Sequence, residues 1–135
     1  MKNKPTLTLD DSRRMAQAAQ AEALANGWAV TIAIVDDGGH LLWLQRLDGA
    51  APISAQIAPA KARTAALGRR ESKVYEDMIN QGRASFLSAP GLEGMLEGGV
   101  PVMVDGQCVG AIGVSGVKSG EDAQIARAGV VALGH

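Results

Sequence analysis

The chain has 135 residues, a formal net charge of −1 and 3% aromatic residues. That length supports one domain with its own core, and a near-neutral charge with few rings excludes an electrostatic hold on nucleic acid, which needs a basic face and stacking side chains. Cys108 is the single cysteine, so no intramolecular disulfide or thiolate metal cluster forms. With no long apolar run, the expectation is a cytoplasmic protein without a membrane partner.

Thr8-Leu9-Asp10-Asp11 reads as a helix start, with a hydroxyl N-cap and an acid three positions later. The alanine-rich run to Ala25 continues it, and Asn26-Gly27 ends it. Residues 28–35, rich in β-branched side chains, favour a strand, and residues 41–47 a second one. Asp36-Asp37-Gly38-Gly39 between them is a turn signal, so the two form a hairpin. Residues 53–70 read as a helix whose alanines let a neighbour approach closely, with Pro59 either kinking it or standing at its first position. A further helix is expected over 71–81, and residues 85–94 are irregular, with Pro90-Gly91 as punctuation. Residues 100–104 and 107–114 are strands joined by Asp105-Gly106, where both turn positions tolerate positive φ. Pro101 places the first of them at an edge or a strand start. Ser119 opens a last helix running to about Leu133. The order αββααββα, with antiparallel hairpins, predicts a single α+β domain rather than a Rossmann alternation.

The glycine-rich stretch "GGVPVMVDGQCVGAIGVSG", residues 98–116, lacks the Gly-x4-Gly-Lys-Ser/Thr order of a phosphate loop. Its Gly110, Gly113 and Gly116 also have the wrong spacing for a dinucleotide fingerprint. Its glycines are therefore expected to permit close packing and turns. The segment before the last helix faces unpaired N–H groups that attract anions, and Lys118 adds a charge there, but Glu121 and Asp122 compete for the same groups.

Among chemically active residues, His40 follows the first turn and is either a proton shuttle or simply an exposed imidazole. Lys61 sits in "KARTAA" among small residues; it either binds a carboxylate or acts as a nucleophile, or its ammonium meets Asp36, Asp48 or solvent. Arg63 points to another face of the same helix. Arg46 and Asp48 are expected to form a local ion pair. Glu97 is the candidate base, because the adjacent Gly98 and Gly99 leave room for a ligand at the backbone. Pro101 and Ser115 complete the expected ligand-contacting positions. Cys108 is expected to be a buried, inert thiol. No metal-ligand constellation and no Ser-His-Asp arrangement is present in the sequence.

The motifs "TLDDSRRMAQAA", "IAIVDDGGHLLWLQRLDGA", "IAPAKARTAALGR", "GGVPVMVDGQCVGAIGVSG" and "GEDAQIARAG", in this order and spanning nearly the whole chain, resemble the GlcG/HbpS-like family. These haem-degrading or haem-binding domains also occur fused to some cobalamin adenosyltransferases. The resemblance implies a profilin-like fold, a central antiparallel sheet with helices on both sides, and a homo-oligomer. It also implies links to haem, to iron and to small-molecule catabolism. The chain departs from some relatives in having no histidine in its first helix, where Met15 is the nearest substitute for an axial ligand.

The implied function is binding of a small ligand, haem or another, near Lys61, His40 and residues 97–101, with His40 as a candidate axial ligand. The residues also support a cofactor-independent isomerase, lyase or hydrolase acting on a small oxygenated carboxylate, with Lys61 holding the carboxylate and Glu97 or His40 moving the proton. A purely structural or accessory subunit is the third reading.

Overall fold

The computed structural model describes residues 1–134. Its elements are α1 (Leu9–Ala25), β1 (Thr31–Asp36), β2 (Leu41–Arg46), α2 (Ser54–Gly68), α3 (Lys73–Asn80), β3 (Gly99–Val104), β4 (Gln107–Ser115) and α4 (Ser119–Val131), with a 3₁₀ turn over Ala84–Ser88. The strands form one antiparallel sheet in the order β2-β1-β4-β3. The expected α+β order holds. Pro101 lies in the edge strand β3, where its missing N–H is tolerated.

Side chains of successive strand residues point to opposite faces, and this alternation sorts the core. Ile32, Ile34, Ile112 and Val114 face α1 and α4, packing with Met15, Ala19, Ile125 and Ala126. Ala33, Val35 and Ala111 face α2 and meet Ala58, Ala62, Ala65 and Ala66. The first layer takes large aliphatic side chains, each contributing about 1.5–3 kcal/mol when fully buried. The second is built from alanines and glycines, so its contacts come from close approach. A Cβ at position 113 would stand 2.2 Å from Ala58 O and 2.5 Å from Ala62 N. Helix α2 therefore rests almost directly on the β4 backbone.

Local signals set most of the element ends. Thr8 Oγ1 accepts the Asp11 N–H at 3.1 Å and Asp11 Oδ2 accepts the Thr8 N–H at 2.8 Å, a complete capping box. At the other end of α1, Gly27 N–H donates to Leu24 O and Trp28 N–H to Ala23 O, the Schellman arrangement. Residues 26–28 thus close the helix, and β1 begins at Thr31 instead of position 28. Helix α2 stops at Gly68 because Arg69 turns left-handed at φ 57°. Pro59 stands inside α2, neither at its first position nor at its end; its missing N–H leaves Ala55 O without the usual intrahelical donor. Asp105 and Gly106 both take positive φ, 50° and 75°, as the β3–β4 turn requires.

The capping box makes the start of α1 acid-sensitive. The Thr8 N–H, with Arg14 beside it, holds the Asp11 carboxyl below the ordinary aspartate value of 3.8. A depressed folded pKa gives stability that is present above the unfolded value and lost as pH falls through the folded one. The Thr8 amide resonance, followed by NMR from pH 6 downward, is therefore expected to titrate with a midpoint below 3.8. A midpoint at or above that value contradicts the assignment.

Candidate functional site

Lys61 projects from α2 at the end of the sheet where β3 starts and β4 finishes. Its ammonium donates to Val114 O and to Asp122 Oδ2, both at 3.0 Å. Both side chains of this ion pair are almost wholly buried, at 4% and 3% exposure. The other Asp122 oxygen, Oδ1, accepts the Val117 N–H at 3.1 Å, and Glu121 Oε1 accepts the Lys118 N–H. The chain's own carboxylates thus occupy the N–H groups ahead of α4. Burial pushes the Asp122 carboxyl above its ordinary range, while Lys61 and the Val117 N–H draw it partly back.

The partner of Lys61 is therefore neither Asp36, Asp48 nor solvent but a carboxylate on the opposite helical layer. The room left by Gly98 and Gly99 is also taken. A Cβ at Gly98 would lie 2.9 Å from Lys61 Nζ, and one at Gly99 would lie 2.2 Å from Lys61 O. These glycines admit α2 and its lysine at the positions expected for a ligand. Ser72, unremarked in the sequence, locks the same corner: its hydroxyl accepts the Gly99 N–H at 2.8 Å and donates to Leu96 O at 2.5 Å.

Glu97 precedes this corner and is half-buried. It contributes to raising the Lys73 pKa, though Asp77, hydrogen-bonded to Lys73 at 2.7 Å, is the larger cause. Close by, Glu71, Lys73, Asp77 and Arg127 line a cleft of about 270 Å³, with Arg127 Nη2 donating to Glu71 Oε1 at 2.7 Å. Pro101 is half-buried opposite Ala111, and Ser115 is buried opposite Thr31.

His40 lies at the other end of the sheet. Lys61 reaches Val114, which pairs with Ile32, whereas His40 follows Asp36. Four strand residues at ~3.4 Å each separate the two by roughly 14 Å, so they do not share one pocket. The β1–β2 turn has its own constellation. Asp36 Oδ1 accepts the Gly38 and His40 N–H groups, both at 2.9 Å. The exposed imidazole lies over Gly38, whose missing Cβ would stand 3.3 Å from His40 Cδ2. Across Gly39 are Arg63 and Leu67, with Arg63 Cγ 3.0 Å and Leu67 Cγ 3.6 Å from that residue's missing Cβ. Arg69 Nη1 donates to Asp37 O, and Lys4 pairs with the Asp37 carboxylate at 2.9 Å. One imidazole, apolar Leu67 and three cations thus gather at a single turn.

Other candidates are closed. Met15 is fully buried under α4, so it offers no accessible thioether. Cys108 is buried, its Sγ 3.3 Å from Gly110 O. No salt bridge joins Arg46 to Asp48 among the described residues; both side chains are exposed. No group of three or more metal-ligating side chains occurs among them either, and no helix is long and apolar enough to cross a membrane.

A four-stranded antiparallel sheet covered on both faces, with a buried cross-layer ion pair at one end and an exposed histidine at the other, defines a profilin-like α+β domain. Residues 7–131 match the family model described as haem degrading protein HbpS-like, and the chain belongs to that family. It is 57% identical over 115 residues, 85% of both chains, to protein GlcG of Escherichia coli K12. Among solved structures, a double mutant of HbpS from Streptomyces reticuli superposes with a TM-score of 0.90 at 35% identity, covering all of this chain and 92% of that one. PduOC in complex with haem superposes with a TM-score of 0.84 at 26% identity, covering 95% of each chain.

Proposed function

We propose that this protein is a small-ligand-binding protein that takes haem at the β1–β2 turn, with His40 as the iron ligand. The carrying observation is the exposed His40 imidazole on the turn whose Gly39 packs against Arg63 and Leu67 and whose Asp37 carbonyl accepts from Arg69. A haem site needs an axial donor, apolar surface for the macrocycle and cations for the propionates, and the residues at this turn fit those needs. His40 supplies the imidazole nitrogen, Leu41 and Leu67 supply apolar surface, and Arg63 and Arg69 supply donors to carboxylates. When bound, haem supplies iron-centred redox and ligand-exchange chemistry. The haem complex of PduOC supports the ligand class. The exposed apolar side chains Leu44 and Ile53, which the haem proposal does not use, support a homo-oligomer that covers them.

The enzyme reading is weaker because it asks Lys61 to hold a substrate carboxylate. Its ammonium is engaged with Asp122 inside the protein. Haem titration followed at the Soret band is expected to saturate with the wild-type protein, and His40→Ala is expected to shift the band and weaken binding at least tenfold. Absence of a saturable Soret change, or an unchanged spectrum in His40→Ala, overturns the proposal.

A further inference from the structure

The chain also holds a cavity far from Lys61, at the same end of the sheet as the His40 turn but lined by neither His40 nor the residues of the haem proposal. It encloses about 220 Å³ under the N-terminal segment, with apolar walls from Leu7, Val102, Val104, Val109 and Leu133. At ~30 Å³ for each water in the liquid, that is the space of about seven waters, enough for an acyl tail of roughly six to eight carbons. The wall is firmly built: Val102 is fully buried, Val109 is 3% exposed, and Leu7 packs where a Gly110 Cβ would meet its Cδ1 at 2.5 Å.

The two charged groups of the cavity, Arg14 and Asp11, are not equivalent. Both Asp11 oxygens already accept hydrogen bonds, Oδ2 from the Thr8 N–H at 2.8 Å and Oδ1 from Arg14 Nη2 at 3.0 Å. Asp11 therefore acts as an anchor for the guanidinium. Arg14 has five N–H donors in a fixed fork; one is on Asp11, and its Nε lies 3.8 Å from the exposed Asp10 carboxylate. The donors not held by Asp11 match a second, incoming carboxylate, while an incoming ammonium would meet the guanidinium as a like charge. A pocket of apolar walls with one orienting cation is the usual form of a site for a small amphipathic ligand.

We propose that this cavity binds a medium-chain monocarboxylate, its tail against Val102, Val104 and Val109 and its head on Arg14. The test uses octanoate, 1-octanol and octylamine as probes, titrated by calorimetry and amide NMR. Octanoate is expected to bind saturably and at least tenfold more tightly than octanol, with octylamine weakest. Arg14→Gln is expected to bring octanoate to the level of octanol. Val104→Phe, at a half-buried wall position, is expected to abolish binding of both. His40→Ala is expected to leave octanoate binding unchanged, which separates this site from the haem proposal. Failure of octanoate to saturate, equal affinity for octanoate and octanol, or an Arg14→Gln variant that binds octanoate like the wild type overturns the inference. If Val104→Phe does not fold, the Arg14→Gln comparison still decides.

Discussion

Gly113→Ala is expected to destabilise the fold by about 3 kcal/mol or more, the upper end of the ~1–3 kcal/mol range for overpacking. That range describes cases where a side chain moves aside. Here the new methyl would meet Ala58 O at 2.2 Å and Ala62 N at 2.5 Å, which are backbone atoms of α2. The helix must lift as a unit, separating Ala58, Ala62, Ala65 and Ala66 from Ala33, Val35 and Ala111. With ~1 kcal/mol shifting Tm by roughly 2–8 °C in domains that bracket this size, the melting temperature should fall by on the order of 10 °C. Gly120→Ala is the matched control. Its new Cβ meets nothing within 4 Å, and the position lies in the first turn of α4, where the same change is neutral or stabilising by about 0.4–1 kcal/mol. Denaturant unfolding of both variants measures the contrast. A Gly113→Ala protein within about 1 kcal/mol of wild type would mean that α2 does not rest on β4.

What the sequence makes legible is what short-range chemistry decides. The Thr8/Asp11 capping box and the Asp105-Gly106 turn each depend on neighbours within four positions, and both form as expected. The strand start near position 28 was less legible. Trp28 carries the signature of a strand residue, yet its N–H is taken by Ala23 O at the helix end. The site was legible only in part, for a different reason. Lys61 stands out as a charge among alanines, but its partner lies 61 residues away. In the sequence, Asp122 looks like an ordinary first-turn acid of a helix. Only the topology, which carries α2 and α4 to the same end of the sheet from opposite faces, brings the two together. Gly98 and Gly99 show the converse. Small residues beside Glu97 suggest space for a ligand, and the sequence holds no sign that a lysine stem fills it. The turn around His40 was visible as a motif, whereas Arg69 joins it because the end of α2 packs against that turn.

Lys61→Met is expected to show a stability deficit that grows with pH. The substitution keeps the apolar stem and removes the ammonium, leaving Asp122 buried with one hydrogen bond from the Val117 N–H. Burial already raises the Asp122 carboxyl above 3.8 with Lys61 present, and losing the cation raises it further. For a carboxyl with a raised folded pKa, the folded state binds the proton more tightly than the unfolded state. The stability this proton gives is full below the unfolded value and is lost as pH rises through the folded one. The slope between the two is at most ~1.36 kcal/mol per pH unit, and the total approaches the ~3–5 kcal/mol typical of a buried pair broken on one side. Below the ordinary aspartate value of 3.8 both states are protonated and the electrostatic part of the deficit vanishes. Lys61→Met/Asp122→Leu removes the carboxylate as well, so its own stability should lose the pH dependence that this carboxyl contributes, and its deficit at neutral pH should be smaller than that of the single variant, because apolar replacement of a buried pair is often neutral or stabilising, by about 1–4 kcal/mol. Urea unfolding of wild type, single and double variants between pH 4 and pH 7 measures the series. If the single variant's deficit stays flat across that range, or shrinks toward neutrality, the ion pair does not hold the α2 and α4 layers together.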